Sequence, residues 1–91
     1  MIQRRVFVTG QVHGVGFRRA TAREAEHYPR LRGFVRNLSD GRVEAVFAGA
    51  PQMVLEMVAW CRQGPSYAQV TQVEVIEESV DPTLPGFQVV F

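Results

Sequence analysis

Thr9-Gly10-Gln11-Val12-His13-Gly14-Val15-Gly16-Phe17-Arg18 joins two stretches with different hydrophobic periods. Before it, residues 3–10 carry the β-rich run Val6-Phe7-Val8 and end at Gly10, which reads as a strand. After it, Phe17, Ala20, Ala25 and Tyr28 form a rough apolar stripe, predicting a helix over residues 17–28 that Pro29 stops. A strand that enters a helix through a glycine-bearing loop can aim successive main-chain N–H groups at one anion, at the positive end of the helix dipole. Gly14 and Gly16 permit the backbone conformations and close approaches this requires. Arg18, just inside the helix, could add a bidentate contact to phosphate oxygens. Glycines between a strand and a helix are also common as plain turns, so spacing alone leaves both readings open. Two better-known phosphate loops are excluded: no Gly-Lys-Ser or Gly-Lys-Thr follows, and Phe17-Arg18-Arg19 supplies no third glycine for a dinucleotide fingerprint.

Working outward, Leu31–Leu38 and Arg42–Ala48 read as two strands joined by Ser39-Asp40-Gly41, since Asp-Gly accommodates positive φ in a hairpin. In the second of these, Val43, Ala45 and Phe47 alternate with Arg42, Glu44 and Val46. Pro51 opens a second helix, in which Val54, Met57, Val58 and Cys61 fall at helical spacing until Gly64-Pro65 ends it. Val70–Glu77 is a fourth strand, and Phe87, Val89 and Phe91 make a short closing one. The order β-α-β-β-α-β plus a terminal strand is the split βαβ, or ferredoxin-like, α+β arrangement. Two helices then cover one face of a mixed, mainly antiparallel sheet. Right-handed crossovers are expected to put the first strand beside the third, and the third beside the fourth.

Ninety-one residues make one domain, residues 1–91, with no internal repeat or linker. A hydrophobic content of 46% supports a packed core. The net charge of +1 provides no broad field for nucleic acid or anionic lipid. All 10 cationic residues are Arg, too many for all to be ligands. Cys61 is the only cysteine, so no internal disulfide forms and a reducing compartment suits the chain. The apolar run after Arg5 is too short for a signal region, and nothing approaches a membrane span. The expected location is the cytoplasm. His13 and His27 have no metal-ligand spacing, and neither a metal nor a cofactor is expected. Arg4, Arg5, Arg19, Arg23, Arg30 and Arg32 are expected on the solvated surface, with Arg19 near enough to attract substrate. Cys61 and Trp60 are expected to pack.

Gly10-Gln11-Val12-His13-Gly14-Val15-Gly16-Phe17-Arg18 resembles the acylphosphatase signature Gly-x-Val-Gln-Gly-Val-x-Phe-Arg. Gly33-Phe34-Val35-Arg36-Asn37 and Asp40-Gly41-Arg42-Val43-Glu44 are similar to the family's second block. Gly64-Pro65-Ser66-Tyr67-Ala68-Gln69-Val70 is a weaker third match. The blocks keep the family order along nearly the whole chain. The resemblance implies hydrolysis of the carboxyl–phosphate bond of acyl phosphates. Arg18 and Asn37 would be catalytic, and the backbone of His13, Gly14, Val15, Gly16 and Phe17 would hold the phosphate. The implied partner is a small acyl phosphate, with inorganic phosphate or sulfate as product or mimic; no nucleic-acid or membrane partner, metal or cofactor is expected, and a monomer is the simplest expectation. On its own, an Asn before Leu38-Ser39-Asp40-Gly41 reads as a turn residue; only the resemblance makes it catalytic. His13 departs from the family's Gln, which leaves the main-chain donors intact but puts any side-chain bond at that position in question.

Two other functions share this topology. Arg32-Gly33-Phe34 opens like an RNA-recognition strand, yet Val35-Arg36-Asn37 lacks the small residue and further aromatics on which bases would stack. A regulatory or carrier domain would bind the phosphorylated ligand without turnover, and the family's fold also occurs as a domain within larger carbamoyl-transferring maturation proteins. The chain ends at Phe91 without a cysteine-rich continuation, and the free-standing enzyme is the preferred expectation.

Overall fold

A computed structural model describes residues 1–91 as seven elements. They are β1 (Ile2–Gln11), α1 (Phe17–Ala25), β2 (Arg32–Asn37), β3 (Val43–Gly49), α2 (Pro51–Cys61), β4 (Gln69–Glu78) and β5 (Gln88–Val89). The sheet order is β4-β1-β3-β2-β5. Neighbours pair antiparallel except β2 and β5, which run parallel with Val35 opposite Val89. This is the expected ferredoxin-like α+β fold, with β1 beside β3. The expectation that β3 lies beside β4 is corrected, because β1 is inserted between them. Each helix therefore crosses over one intervening strand, and the two βαβ units interleave. The strand β2, which carries Asn37, therefore reaches β1 only across β3.

Periodicity explains most of the core. Val6 and Val8 of β1 point to the helices, together with Val35, Val43, Ala45 and Phe47. From α2, Val54, Met57, Val58 and Cys61 meet them. Burial pushes the Cys61 thiol up to about 12, so it behaves as a small apolar side chain. Helix α1 is shorter than its apolar stripe suggested, with Glu26 as its C-cap. Its buried line is Phe17, Thr21 and Ala25, at i, i+4 and i+8, with Ala20 only half-buried. Thr21 is accommodated because its hydroxyl donates to the Phe17 carbonyl at 2.7 Å.

All of β3 is buried on both faces, against the alternation read from its sequence. On the face away from the helices, Val46 and Ala48 are covered by Leu84 and Phe34. Beside them, the Glu44 carboxylate is held by Arg5 and Arg36. Arg5 Nε also donates to Glu78 at 2.7 Å, and Gln3 Nε2 donates to the same carboxylate at 2.9 Å. Arg5 is thus a cross-strand tie rather than solvated surface, and Arg32 Nε donates to the Leu84 carbonyl at 2.6 Å.

The Arg5 hydrogen bond is the main reason the Glu78 carboxyl is held below the ordinary 4.5. A lowered folded-state value means that its stabilisation is complete above the unfolded value and is lost as pH falls through the folded one. Glu78→Gln should cost about 1 kcal/mol at pH 7 and almost nothing near pH 3. Urea denaturation of both proteins at the two pH values checks this, and an equal cost at both would contradict it.

Close strand approach makes its own demand at Gly33. Its φ is +137°, and a Cβ there would lie 1.8 Å from the Val46 carbonyl oxygen. Gly33→Ala should lose about 3 kcal/mol or more, since neither backbone can yield without breaking the β2–β3 ladder. A urea midpoint within about 0.5 kcal/mol of the parent would contradict this.

Candidate active site

The loop between β1 and α1 is fixed at both ends by burial. Val12 and Phe17 are each 1% exposed. The Phe17 ring packs on Trp60, with centroids 5.6 Å apart, which gives Trp60 the packing role expected of it. Between these anchors, Gly14 and Gly16 adopt left-handed conformations, with φ of +72° and +77°. Gly16 is the N-cap of α1 and supplies no side chain to bond the helix's first N–H groups. No acidic residue stands in the first turn. The first helical bond is Ala20 N–H to the Gly16 carbonyl, and no main-chain N–H from His13 through Arg19 has an acceptor within the protein. A helix start normally satisfies several such donors with a cap. Here a consecutive row of them has no partner within the protein.

The loop borders a cavity of about 370 Å³ lined by Val12, Gly14, Gly16, Phe17, Arg18 and Arg19 on one side. Ala22, Asn37, Val89 and Phe91 complete it. Arg18 and Asn37, which are 19 residues apart in the chain, thus meet across one space. Arg18 is half-buried, and its guanidinium carbon lies 4.7 Å from the Phe91 ring centroid. It has no hydrogen-bond or ion-pair partner in the protein, so its donors are uncommitted. Asn37 is the last residue of β2, paired with Val43, and its carboxamide is likewise unengaged. No Asp, Glu, His or Cys lines the cavity.

His13 and Val15 belong to the loop but do not line the cavity with it. Val15 leans on the core, while the His13 ring turns outward and its Nε2 meets the Arg42 carbonyl at 2.9 Å. His27 is exposed and faces Glu24 at 3.5 Å, away from the cavity. No group of three or more His, Cys, Asp or Glu side chains comes together as a metal site would require, and no helix is long and apolar enough to cross a membrane.

The wall formed by Ala22, Val89 and Phe91 was not foreseen. The alternation of Phe87, Val89 and Phe91 marked a strand, but its parallel pairing beside β2 is a tertiary fact. That pairing continues with Val90 N–H donating to the Val35 carbonyl at 2.9 Å, which brings the last residue level with Asn37.

Comparison with known proteins identifies the family and the fold. The acylphosphatase family model covers residues 4–89. An acylphosphatase of Trichormus variabilis is 53% identical over 98% of this chain and 86% of its own length. The crystal structure of the Bacillus subtilis acylphosphatase superposes with a TM-score of 0.91 at 34% identity, covering 100% of both chains. Full-length HypF, solved in a phosphate- and nucleotide-bound form, contains a similar region with a TM-score of 0.87 at 26% identity, covering 99% of this chain and 12% of that one. A match of that extent to both sequence and fold means that the chain belongs to the acylphosphatase family.

Proposed function

We propose that this protein hydrolyses small acyl phosphates to a carboxylate and inorganic phosphate, using Arg18, Asn37 and the main chain of residues 13–17. The observation that carries this reading is the row of unpaired N–H groups from His13 through Arg19 at the mouth of α1, in a loop whose Gly14, Gly16 and Phe17 line one cavity with Arg18 and Asn37. Phosphoryl transfer is limited by positioning and charge stabilisation more than by covalent help from the protein. Backbone donors and a guanidinium supply both, without reorganising as the reaction proceeds.

The leaving group is a carboxylate, which departs as the anion and needs no proton. That suits a cavity whose lining holds no acid. The carboxamide of Asn37 is too weak a base to deprotonate water, but it can orient one. In the proposed step the water oxygen bonds to phosphorus as the bond from phosphorus to the acyl oxygen breaks. The water's proton passes to a phosphate oxygen, so the substrate acts as its own base. The chemistry needs no metal, and we assign the protein to the cytoplasm as a monomer acting on a small molecule rather than on nucleic acid or membrane.

Hydrolysis of acetyl phosphate by the purified protein with EDTA present tests both parts. Undiminished turnover is expected. Absence of turnover with and without EDTA would overturn the hydrolase assignment, and turnover abolished by EDTA alone would overturn metal independence.

A further inference from the structure

We propose that His13 is a positioning residue, tying the phosphate loop to the β2–β3 hairpin so that the loop donors and Asn37 keep a fixed separation. The inference rests on the hydrolase reading above and deepens it. His13 Nε2 lies 2.9 Å from the Arg42 carbonyl oxygen. A carbonyl only accepts, so Nε2 carries the proton and donates. Both the neutral Nε2–H tautomer and the imidazolium can make this bond.

The acceptor is held from several directions without His13. The same Arg42 carbonyl accepts the Leu38 N–H at 2.8 Å, and Gly41 N–H donates to the Leu38 carbonyl at 3.2 Å. The Arg42 N–H and Nε donate to the two Asp40 carboxylate oxygens at 3.0 and 2.9 Å. The Arg42 guanidinium carbon also sits 4.7 Å from the centroid of Phe7 in β1. Leu38 directly follows Asn37, so the anchor is one residue from the proposed water-orienting group.

Between its buried ends the loop has far fewer hydrogen bonds to hold it. From Val12 to Gly16, the His13 ring makes the one side-chain hydrogen bond to the rest of the protein. Its main-chain N–H groups are uncommitted, and both of its glycines are left-handed. Phosphate donors therefore ride on a lightly held loop, while the proposed water-orienting Asn37 rides on the strand end. In-line attack needs the two registered to a fraction of an ångström. A single tether between them acts on that register and barely on the fold.

Kinetics of His13→Ala and His13→Gln with acetyl phosphate, together with long-range ¹⁵N NMR of the His13 ring, test the proposal. In His13→Ala, kcat should fall about tenfold with a smaller change in KM, because a lost tether misaligns attack more than it weakens binding. His13→Gln, which keeps an N–H donor of similar reach, should recover most of the loss. The ring should be protonated at Nε2. Thermal unfolding of His13→Ala should stay near that of the parent, since the bond is exposed. Parent-like kcat in His13→Ala, or a neutral ring with its proton on Nδ1 and a bare Nε2, would overturn the proposal. If the parent itself fails to hydrolyse acetyl phosphate, the hydrolase reading falls. The tether is then decided by the tautomer and by loop N–H exchange, which should be faster in His13→Ala and would contradict the proposal if unchanged.

Discussion

Arg18→Ala should abolish phosphate binding and turnover together, with kcat/KM for acetyl phosphate lower by at least about a thousandfold. The Arg18 guanidinium lines the cavity beside the loop, and its partner in the protein is the Phe91 ring rather than an acceptor. Its loss removes a fork of donors from the phosphate oxygens in the ground state and the transition state alike. Competitive inhibition by inorganic phosphate should weaken in parallel. Arg18→Lys should recover little, because an ammonium keeps the charge but not the bidentate geometry. Stability should hardly change, since Arg18 is half-buried and forms no ion pair. Steady-state kinetics with phosphate as inhibitor measure the effect. Unchanged phosphate inhibition in Arg18→Ala would contradict the role.

Asn37→Ala should separate what Arg18→Ala removes together. Turnover should fall about a hundredfold to a thousandfold, the scale of one well-aimed polar group in a transition state. Phosphate inhibition should remain within about twofold, because the carboxamide is assigned to water rather than to the dianion. The substitution ends β2 without disturbing its main-chain pairing to Val43, so the fold should persist. An equal loss of phosphate binding in the two variants would contradict the division of labour.

The elements were legible because their residues obey simple periods: the β-rich run around Val6, the helical line ending at Cys61, and Asp40-Gly41 as a hairpin turn. Interleaving of the two βαβ units was not, since a crossover rule gives handedness but not which strand occupies the gap. The double burial of β3 escaped alternation because its outer face is covered by Leu84, more than 30 residues away in sequence. The strand–glycine–helix stretch pointed to an anion, and Arg18 stood in it. Asn37 had no local signal beyond a turn, and only the resemblance singled it out; across the sheet it comes to the same cavity as Arg18. The outward turn of His13 and the approach of Phe91 to Arg18 depend on side-chain direction and parallel pairing, which no one-dimensional pattern encodes.

The central claim is that uncapped main-chain amides at the start of α1 grip a phosphate dianion. Titrating ¹⁵N-labelled protein with inorganic phosphate reads those amides one by one. The N–H resonances of Gly14 through Arg18 should move downfield and saturate at the concentration that half-inhibits acetyl phosphate hydrolysis. Resonances that stay in place while phosphate still inhibits would contradict the account.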